Sequence, residues 1–334
     1  MGIGLDKTKI DIFNSFAYGS MIEKYTANLN LFNSASNGCI VLKNGSNVGD
    51  WSDPNVMWKQ IGGLVVDRNV YGDAVTGEKR LEMRSDTMVK YAERTESLRM
   101  DNSWMTWIGR NPEEAGRVFG EQVADQRTAA MITKGLGAVG GILAARTYGA
   151  VKPMVSTADA TGIPTYQELI TASAVFGDKF DELKCVVAHS AVWHTMLKNN
   201  VDNAQRLFQF GSVIVYTDAM GRPIIISDHP STGNVTAGFN TFMLSQGAVT
   251  IEDNGDFDYV MEKKGGGENI TRTYQAEWTN QLGVKGEAWI KTAAAASPTT
   301  ANLIDPTKWE AQITDVKLCA GVVIKKPAAG RSSK

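Results

Sequence analysis

The rhythm of apolar and polar positions changes several times along this chain of 334 residues. Up to residue 38 the two are mixed without a strong period, which predicts an arm with one short helix between Ile10 and Tyr25. After Gly38, CIVLK reads as a strand. GSNVGDWSDPNVMW, from Gly45 onward, is turn-rich, and Asp53-Pro54 suits the start of a turn. LVVDRNVY then reads as a strand, Gly77 as a turn, and EKRLEMRSDTMVKYAER as a second strand or a strand running into a helix. Two alternating, highly charged segments of this kind make a long two-stranded excursion. Such a hairpin is marginal alone in water, so it must lie on the rest of the chain or on another copy.

The clearest helix begins at Pro112 and runs through Ala130, with a reach to Arg146. Asn111 is a good N-cap, Pro112 fits the first helical position, and Glu113 and Glu114 complement the positive end of the helix dipole. Val118, Phe119, Val123, Ala130 and Met131 gather on one side. GLGAVGGILAA behind them reads as a glycine-rich hinge, flexible or closely packed. A second helix is predicted over Thr165–Leu183, with a capping box at Thr165 and Glu168, followed by the strand CVVA and a helix opening at Ser190. SVIVYTD and PIIIS flank a turn at Met220-Gly221. From Asn240 the chain turns mostly to strands: TFML, AVTIED, DYVMEKK, RTYQAEW and GEAWIKT, with turns at Gly265–Gly267 and Gly283. KWEAQI and KLCAGVVIKK close the pattern. Helices and strands mix without a regular βαβ beat and without an internal repeat, so the fold class is α+β.

Composition narrows the function. With 43% hydrophobic residues, including eight Trp, nine Tyr and eleven Phe, the chain can bury a large core without disulfides or metals. A net charge of -2 argues against a protein that gathers nucleic acid by electrostatics, and basic residues concentrate only at Lys263-Lys264 and from Lys325 to Lys334. Cys39, Cys185 and Cys319 lie far apart and fit a reducing cytosol as buried apolar side chains. MGIGLDKTKIDIF has no signal-peptide core, and Leu136–Ala145 is too short and glycine-rich to span a bilayer. The expectation is a protein made in the cytoplasm, with no membrane partner.

Candidate chemistry is sparse. Gly135-Leu-Gly137-Ala-Val-Gly140 matches GxGxxG, but a helix precedes it where a nucleotide site needs a strand. His189 and His194 are five apart, not four, and His229 beside Asp228 is the only other histidine. Cys185 sits in an apolar strand, not in a setting that favours a thiolate. No GxSxG, Walker loop or HExxH appears, so neither catalysis nor a cofactor or metal is expected.

Several stretches, in order, resemble the major capsid proteins of tailed bacteriophages with the Hong Kong 97-type fold. FGDKFDELKCVVAHSAVWHTMLKNN resembles that family's helix, strand and helix with "GD" and "hS" elements. SVIVYTDAMGRPIIISDHP resembles its paired strands ending at Ile226-Ser227-Asp228. FNTFMLSQGAVTI, LGVKGEAWI and SPTTANLIDPTKWEAQITDVKLCAGVVIKK resemble its later segments, and IDIFNSFAYGSMIEKYTANLNLFNSASNGCIVL its arm. The order and spacing carry the likeness, while the 45–95 region matches in composition more than in residues.

The resemblance implies an N-terminal arm and first strand over 1–44 and an extended loop (the E-loop) over 45–95 reaching across neighbouring subunits. It implies a peripheral domain over 96–183 and 240–283 with a spine helix at about 112–146, an axial domain over 184–239 and 284–326, and a flexible tail over 327–334. Copies of the chain would form hexamers and pentamers of an icosahedral shell, with portal and scaffold or decoration proteins as partners. The shell would hold double-stranded DNA without sequence-specific binding. Some members cross-link a Lys to an Asn of another subunit, but no such pair aligns here. Trp51, Met57, Trp58, Lys79, Arg84 and Lys90 are the candidate intersubunit contacts, led by the aromatic cluster. An encapsulin-type nanocompartment would share the fold and differ by an enzyme cargo. An enzyme built on the histidines or the glycine run would differ by bound zinc or nucleotide-dependent stabilisation.

Overall fold

A computed structural model describes residues 7–45, 49–53, 56–58, 65–73, 75, 77–81, 83–100, 102–156, 162–199, 205–210, 213–217, 222–228, 232–234, 238–265, 270–292 and 297–327. The arm is one helix, α1 (Lys7–Ala35), of 29 residues, well beyond the predicted Ile10–Tyr25. Ile10, Phe13, Ala17, Met21, Tyr25, Leu29 and Phe32 recur every three or four residues and are buried. Phe16, Tyr18, Ile22 and Leu31 stay exposed on other faces, which is why the sequence shows no clean period there. Asn37 and Gly38 take positive φ values of 52 and 66 degrees and turn the chain into β1 (Ile40–Asn44).

The next region holds β2 (Trp51–Ser52), β3 (Val56–Trp58), β4 (Met83–Ser85), β5 (Met88–Arg94) and β6 (Leu98–Met100). β3 pairs antiparallel with β4, and β2 with β5. Residues 65–71, predicted as a strand, pair with no strand among the described residues and run exposed. β-branched residues favour a pleated surface only where one is offered. Among its described residues, EKRLEMRSDTMVKYAER contains strands and no helix.

After α2 (Asn102–Arg110), the spine α3 (Pro112–Ala145) runs for 34 residues. Asn111 caps it, accepting from the Glu114 N–H at 3.4 Å, with Pro112 in the first turn. The glycine run is not a hinge after the helix; it is the helix's buried second half. A Cβ on Gly135 would come within 2.9 Å of Ile251, and one on Gly141 within 2.0 Å of the Ile304 carbonyl. Close approach of neighbours outweighs the poor helix propensity of glycine there. By length and composition α3 could cross a membrane, yet 61% of its most apolar window is buried inside the protein.

Chain order continues with β7 (Met154–Ser156), α4 (Tyr166–Ser173), β8 (Leu183–Ala188), α5 (Ser190–Asn199), β9 (Gln205–Phe210), β10 (Val213–Thr217) and β11 (Pro223–Ile226). β12 (Gly233–Asn234), β13 (Gly238–Ser245), β14 (Val249–Asp253), β15 (Asp258–Lys264), β16 (Thr271–Val284) and β17 (Glu287–Trp289) follow. α6 (Thr300–Ile304), β18 (Trp309–Ala311) and β19 (Gly321–Lys326) end it. The helix expected over Thr165–Leu183 stops at Ser173. A 3-10 segment then continues to Glu182, broken at Gly177 with φ of 54 degrees. The predicted turn at Gly283 is interior to β16, because Met88 covers that glycine and a Cβ would meet it at 2.6 Å. The turn falls at Gly286 instead, with φ of 81 degrees. The turn at Met220-Gly221 lies outside the described residues.

Two sheets result. One has the order β1-β14-β16-β5-β2, with β15 and β6 also on β16. The other runs β7-β19-β13-β8-β11-β10-β9, with β12 on β13. Residues 240–245, expected in one domain with the spine, are thereby paired with the 183–188 and 321–326 strands. The main apolar core runs from α1 and α3 into both sheets, and a smaller one gathers Phe13, Phe119, Tyr274 and Trp278.

One acid is sealed in this core. The Glu287 side chain is fully buried, accepts from the Tyr148 hydroxyl at 2.7 Å and pairs with Arg146 at 3.0 Å. Burial raises its pKa above the usual carboxylate value, against the pull of Tyr148 and Arg146. A raised acid stabilises the folded state most below its unfolded value, and that contribution fades as pH climbs through the folded one. Glu287→Gln should therefore flatten the fall of Tm with pH above about 4.3. Thermal unfolding from pH 4 to 7 checks it, and an unchanged slope would refute it.

Candidate functional site

The residues that suggested chemistry are committed to structure. His189 Nδ1 accepts from the Ala191 N–H at 3.1 Å, and its Nε2 lies 3.4 Å from Asp228. Both ring nitrogens are thus engaged at the start of α5, and Ser190 Oγ, 3.4 Å from Nδ1, competes with a backbone donor instead of meeting a free base. Against the burial that pulls it up, hydrogen bonds from Ser190 and the charge of His189 hold Asp228 below its usual range. His194 faces solvent, and His229 lies outside the described residues. All three cysteines are buried. Burial pushes the Cys185 thiol well up and that of Cys319 to about 12, so neither supplies a thiolate. Among the described residues no group of three or more His, Cys, Asp or Glu could hold a metal ion.

What stands out instead is surface. From Val65 to Leu81 the described loop residues are exposed, with Val65 at 93% and Tyr71 at 98%. Trp51, half-exposed on β2, carries the Lys291 ammonium 5.6 Å from its ring centre, and Lys291 also reaches Asp53 at 3.2 Å. Met57 and Trp58 lie on β3, opposite Arg84 and Met83; their side chains lie outside the described residues. Arg84 is not presented outward: its Nε and Nη2 bind both oxygens of Asp86 at 2.9 and 2.8 Å. Lys90 lies on β5 opposite Gln281, and Lys79 is exposed in the loop. The six candidates thus fall on β2, β3, β4, β5 and the loop between β3 and β4.

Two features carry no clear signature in the sequence. Val70 and Tyr71 form an exposed apolar tip, hidden earlier because LVVDRNVY looks like a strand. Beside α3, Arg127 is buried with its Nη2 2.6 Å from Asp253, and its guanidinium lies 4.7, 5.6 and 5.2 Å from the ring centres of Tyr25, Phe257 and Trp278. Two turns further on, Lys134 pairs with Glu93 at 2.5 Å, and Glu93 also accepts from Trp278 Nε1 at 3.0 Å and Asn280 Nδ2 at 2.9 Å. These charges brace the spine against the first sheet. No single-residue signal marks them, since the partners are far apart in sequence.

A family profile described as Gp13-like, major capsid protein 13-like, matches residues 9–323. No curated protein matches the chain. Among solved structures, a chain of the cyanophage Pam1 capsid asymmetric unit is 13% identical, with 85% of this chain and 87% of that chain covered and a TM-score of 0.46. The capsid of Myoviridae phage XM1 is 11% identical, with coverages of 87% and 90% and a TM-score of 0.44. Mycobacterium phage Bobi is 9% identical, with coverages of 87% and 89% and a TM-score of 0.47. The profile decides the identity, because it runs from the arm helix through the spine and both sheets to the last strand: the chain belongs to the Gp13-like family of major capsid proteins, and its role is that of a structural subunit of the virion capsid.

Proposed function

We infer that copies of this chain assemble as hexamers and pentamers into an icosahedral shell of Hong Kong 97 type around the double-stranded DNA of a tailed phage, and that the chain catalyses nothing. The observation that carries the assembly reading is the loop: a run of exposed apolar side chains from Val65 to Leu81, with Tyr71 almost wholly in solvent. A lone chain gains nothing from that display, whereas a neighbouring subunit would cover it. In this reading α1 and β1 form the arm, the 45–95 excursion spans the subunit boundary, and α3 with the first sheet forms the peripheral part. The second sheet forms the axial part. Trp51, Met57, Trp58, Lys79, Arg84 and Lys90 lie along the proposed boundary, with Arg84 acting through its hold on Asp86. The near-neutral charge fits DNA that is placed inside by other means than counterion release, so contacts with DNA carry no sequence specificity. Synthesis in the host cytoplasm, a portal and a separate scaffold or decoration protein complete the reading.

Negative-stain electron microscopy of the purified protein, alone and with its neighbouring gene products, tests it. Uniform hollow particles or capsomer rings are expected. Small monodisperse particles under every condition would sink the reading. In the same assay, Trp51→Ala with Trp58→Ala should lower the yield of particles while leaving the subunit's unfolding midpoint nearly unchanged. Intact shells in normal yield would remove those two residues from the boundary.

A further inference from the structure

Lys134, on the spine, reaches a block of four side chains on one face of the first sheet. The β5–β16 pairing sets Glu93 opposite Trp278 and Tyr91 opposite Asn280. Residues two apart on a strand share a face, so the four stand together. Lys134 Nζ lies 2.5 Å from Glu93 Oε1 and 4.5 Å from the Tyr91 ring centre. Asn280 Nδ2 donates to Glu93 Oε2 at 2.9 Å. The side chains of Lys134 and Glu93 are 16% and 9% exposed, and Asn280 is fully buried. An amine and a carboxamide are thus held on the two oxygens of one carboxylate, largely away from water.

A salt bridge needs only Lys134 and Glu93. It does not account for Asn280 Oδ1, which is buried without a hydrogen-bond partner and so calls for an explanation. The Tyr91 hydroxyl on the opposite strand is buried in the same condition. Burial pushes that hydroxyl well above its usual value, against the pull of the Asn280 side chain, so it keeps its proton. It is a donor at hand for negative charge that builds on the amide oxygen.

We propose that Lys134 and Asn280 of one subunit become joined by an amide bond that the folded chain forms itself, with Glu93 carrying the proton. Glu93 takes a proton from the Lys134 ammonium along the hydrogen bond already made, and the freed amine attacks Asn280 Cγ. The Nζ–Cγ bond forms and the Cγ–Nδ2 bond breaks. Two protons in all pass from Nζ to Nδ2, the first by way of Glu93, and that nitrogen leaves as ammonium. One positive charge departs with it, and nothing is oxidised or reduced. Fixing both groups in one fold supplies the proximity such a step needs. Each subunit makes the bond once, so there is no substrate and no turnover. Every participant belongs to one chain, so the bond needs no neighbour and does not depend on the shell reading. It would tie the spine to β16 beside the Arg127–Asp253 pair.

Mass spectrometry of the purified full chain tests it. The denatured protein should weigh less than its sequence by one ammonia. Trypsin cannot cut after a coupled Lys134, so the digest should contain a branched species, Thr128–Arg146 joined to Thr273–Lys285. Lys134→Arg keeps a cation for Glu93 but offers no amine to couple, and it should show the full mass and lose the branch entirely. Glu93→Gln should slow the appearance of the branch by about a hundredfold or more. Should Glu93→Gln fail to fold, the parent chain still decides: full sequence mass with two separate peptides overturns the proposal. A branch formed as fast in Glu93→Gln as in the parent would overturn the part given to Glu93.

Discussion

Replacing Arg127 with methionine is expected to lower the folding stability of the subunit by about 3–5 kcal/mol, the cost typical of removing one partner from a buried ion pair. The side chain of Arg127 is 3% exposed and that of Asp253 8%, with 2.6 Å between the paired atoms. Methionine fills part of the space under Tyr25, Phe257 and Trp278 but leaves Asp253 without a counter-charge, held by the Gly255 N–H at 3.0 Å and the neighbouring Tyr25 hydroxyl. The cost lies mainly in that stranded carboxylate, so Arg127→Met with Asp253→Leu should recover much of the loss. Urea unfolding of dissociated subunits, followed by tryptophan fluorescence, measures both. A single-variant loss under about 1 kcal/mol would mean that the pair is screened as surface pairs are.

The second large effect is expected at Gly120. A Cβ there would sit 2.1 Å from the Ala17 carbonyl oxygen, and one on Gly116 would sit 2.6 Å from that of Phe13. Both obstacles are backbone, so no rotamer change can relieve them, and α1 must move off the spine as a body. Gly120→Leu should therefore uncover Phe13, Met21, Tyr25, Leu29 and Phe32, each worth about 1.5–3 kcal/mol when buried. Limited proteolysis should cut the variant within 7–35 while the rest of the chain resists. Gly19, on the same helix, meets nothing within 4 Å and is the control. Gly19→Ala should stabilise the protein by about 0.5–1 kcal/mol through helix propensity. An arm in Gly120→Leu as protected as in the parent chain would show that α1 does not depend on that close approach.

The glycine pair also shows where sequence reading stopped. GRVFG in α3 reads as an ordinary stretch of amphipathic helix, and its meaning appears only once α1 lies against it. Without that neighbour, α1's apolar residues on several faces look aperiodic, so a 29-residue helix reads as a short one. The surface proposed for assembly was half visible in the same way. The excursion announced itself by charge and alternation, and Trp51 by its turn-rich setting. The exposed turn at Val70–Tyr71 was concealed by its own strand-like composition, and the Arg127–Asp253 and Lys134–Glu93 pairs beside the spine join residues far apart in the chain.

Signals that act between near neighbours were readable from residues alone. Asn111 with Pro112 starts the spine, the Thr165 N–H donates to Glu168 at 2.7 Å in the expected capping box, and the apolar runs at 183–188 and 223–226 are buried strands. The order of such stretches was enough to point to a capsid family. Long-range packing settled the rest. The spine continues through Gly135–Gly140 because Ile251 and Val249 press on it, and β16 runs past Gly283 because Met88 covers it. Residues 65–71 stay unpaired because, among the described residues, no strand arrives beside them. A cap or an alternation costs and returns its free energy within a few residues, so sequence records it. Whether a glycine-rich helix or a β-branched segment keeps its geometry depends on the surface that reaches it, and that surface comes from elsewhere in the fold.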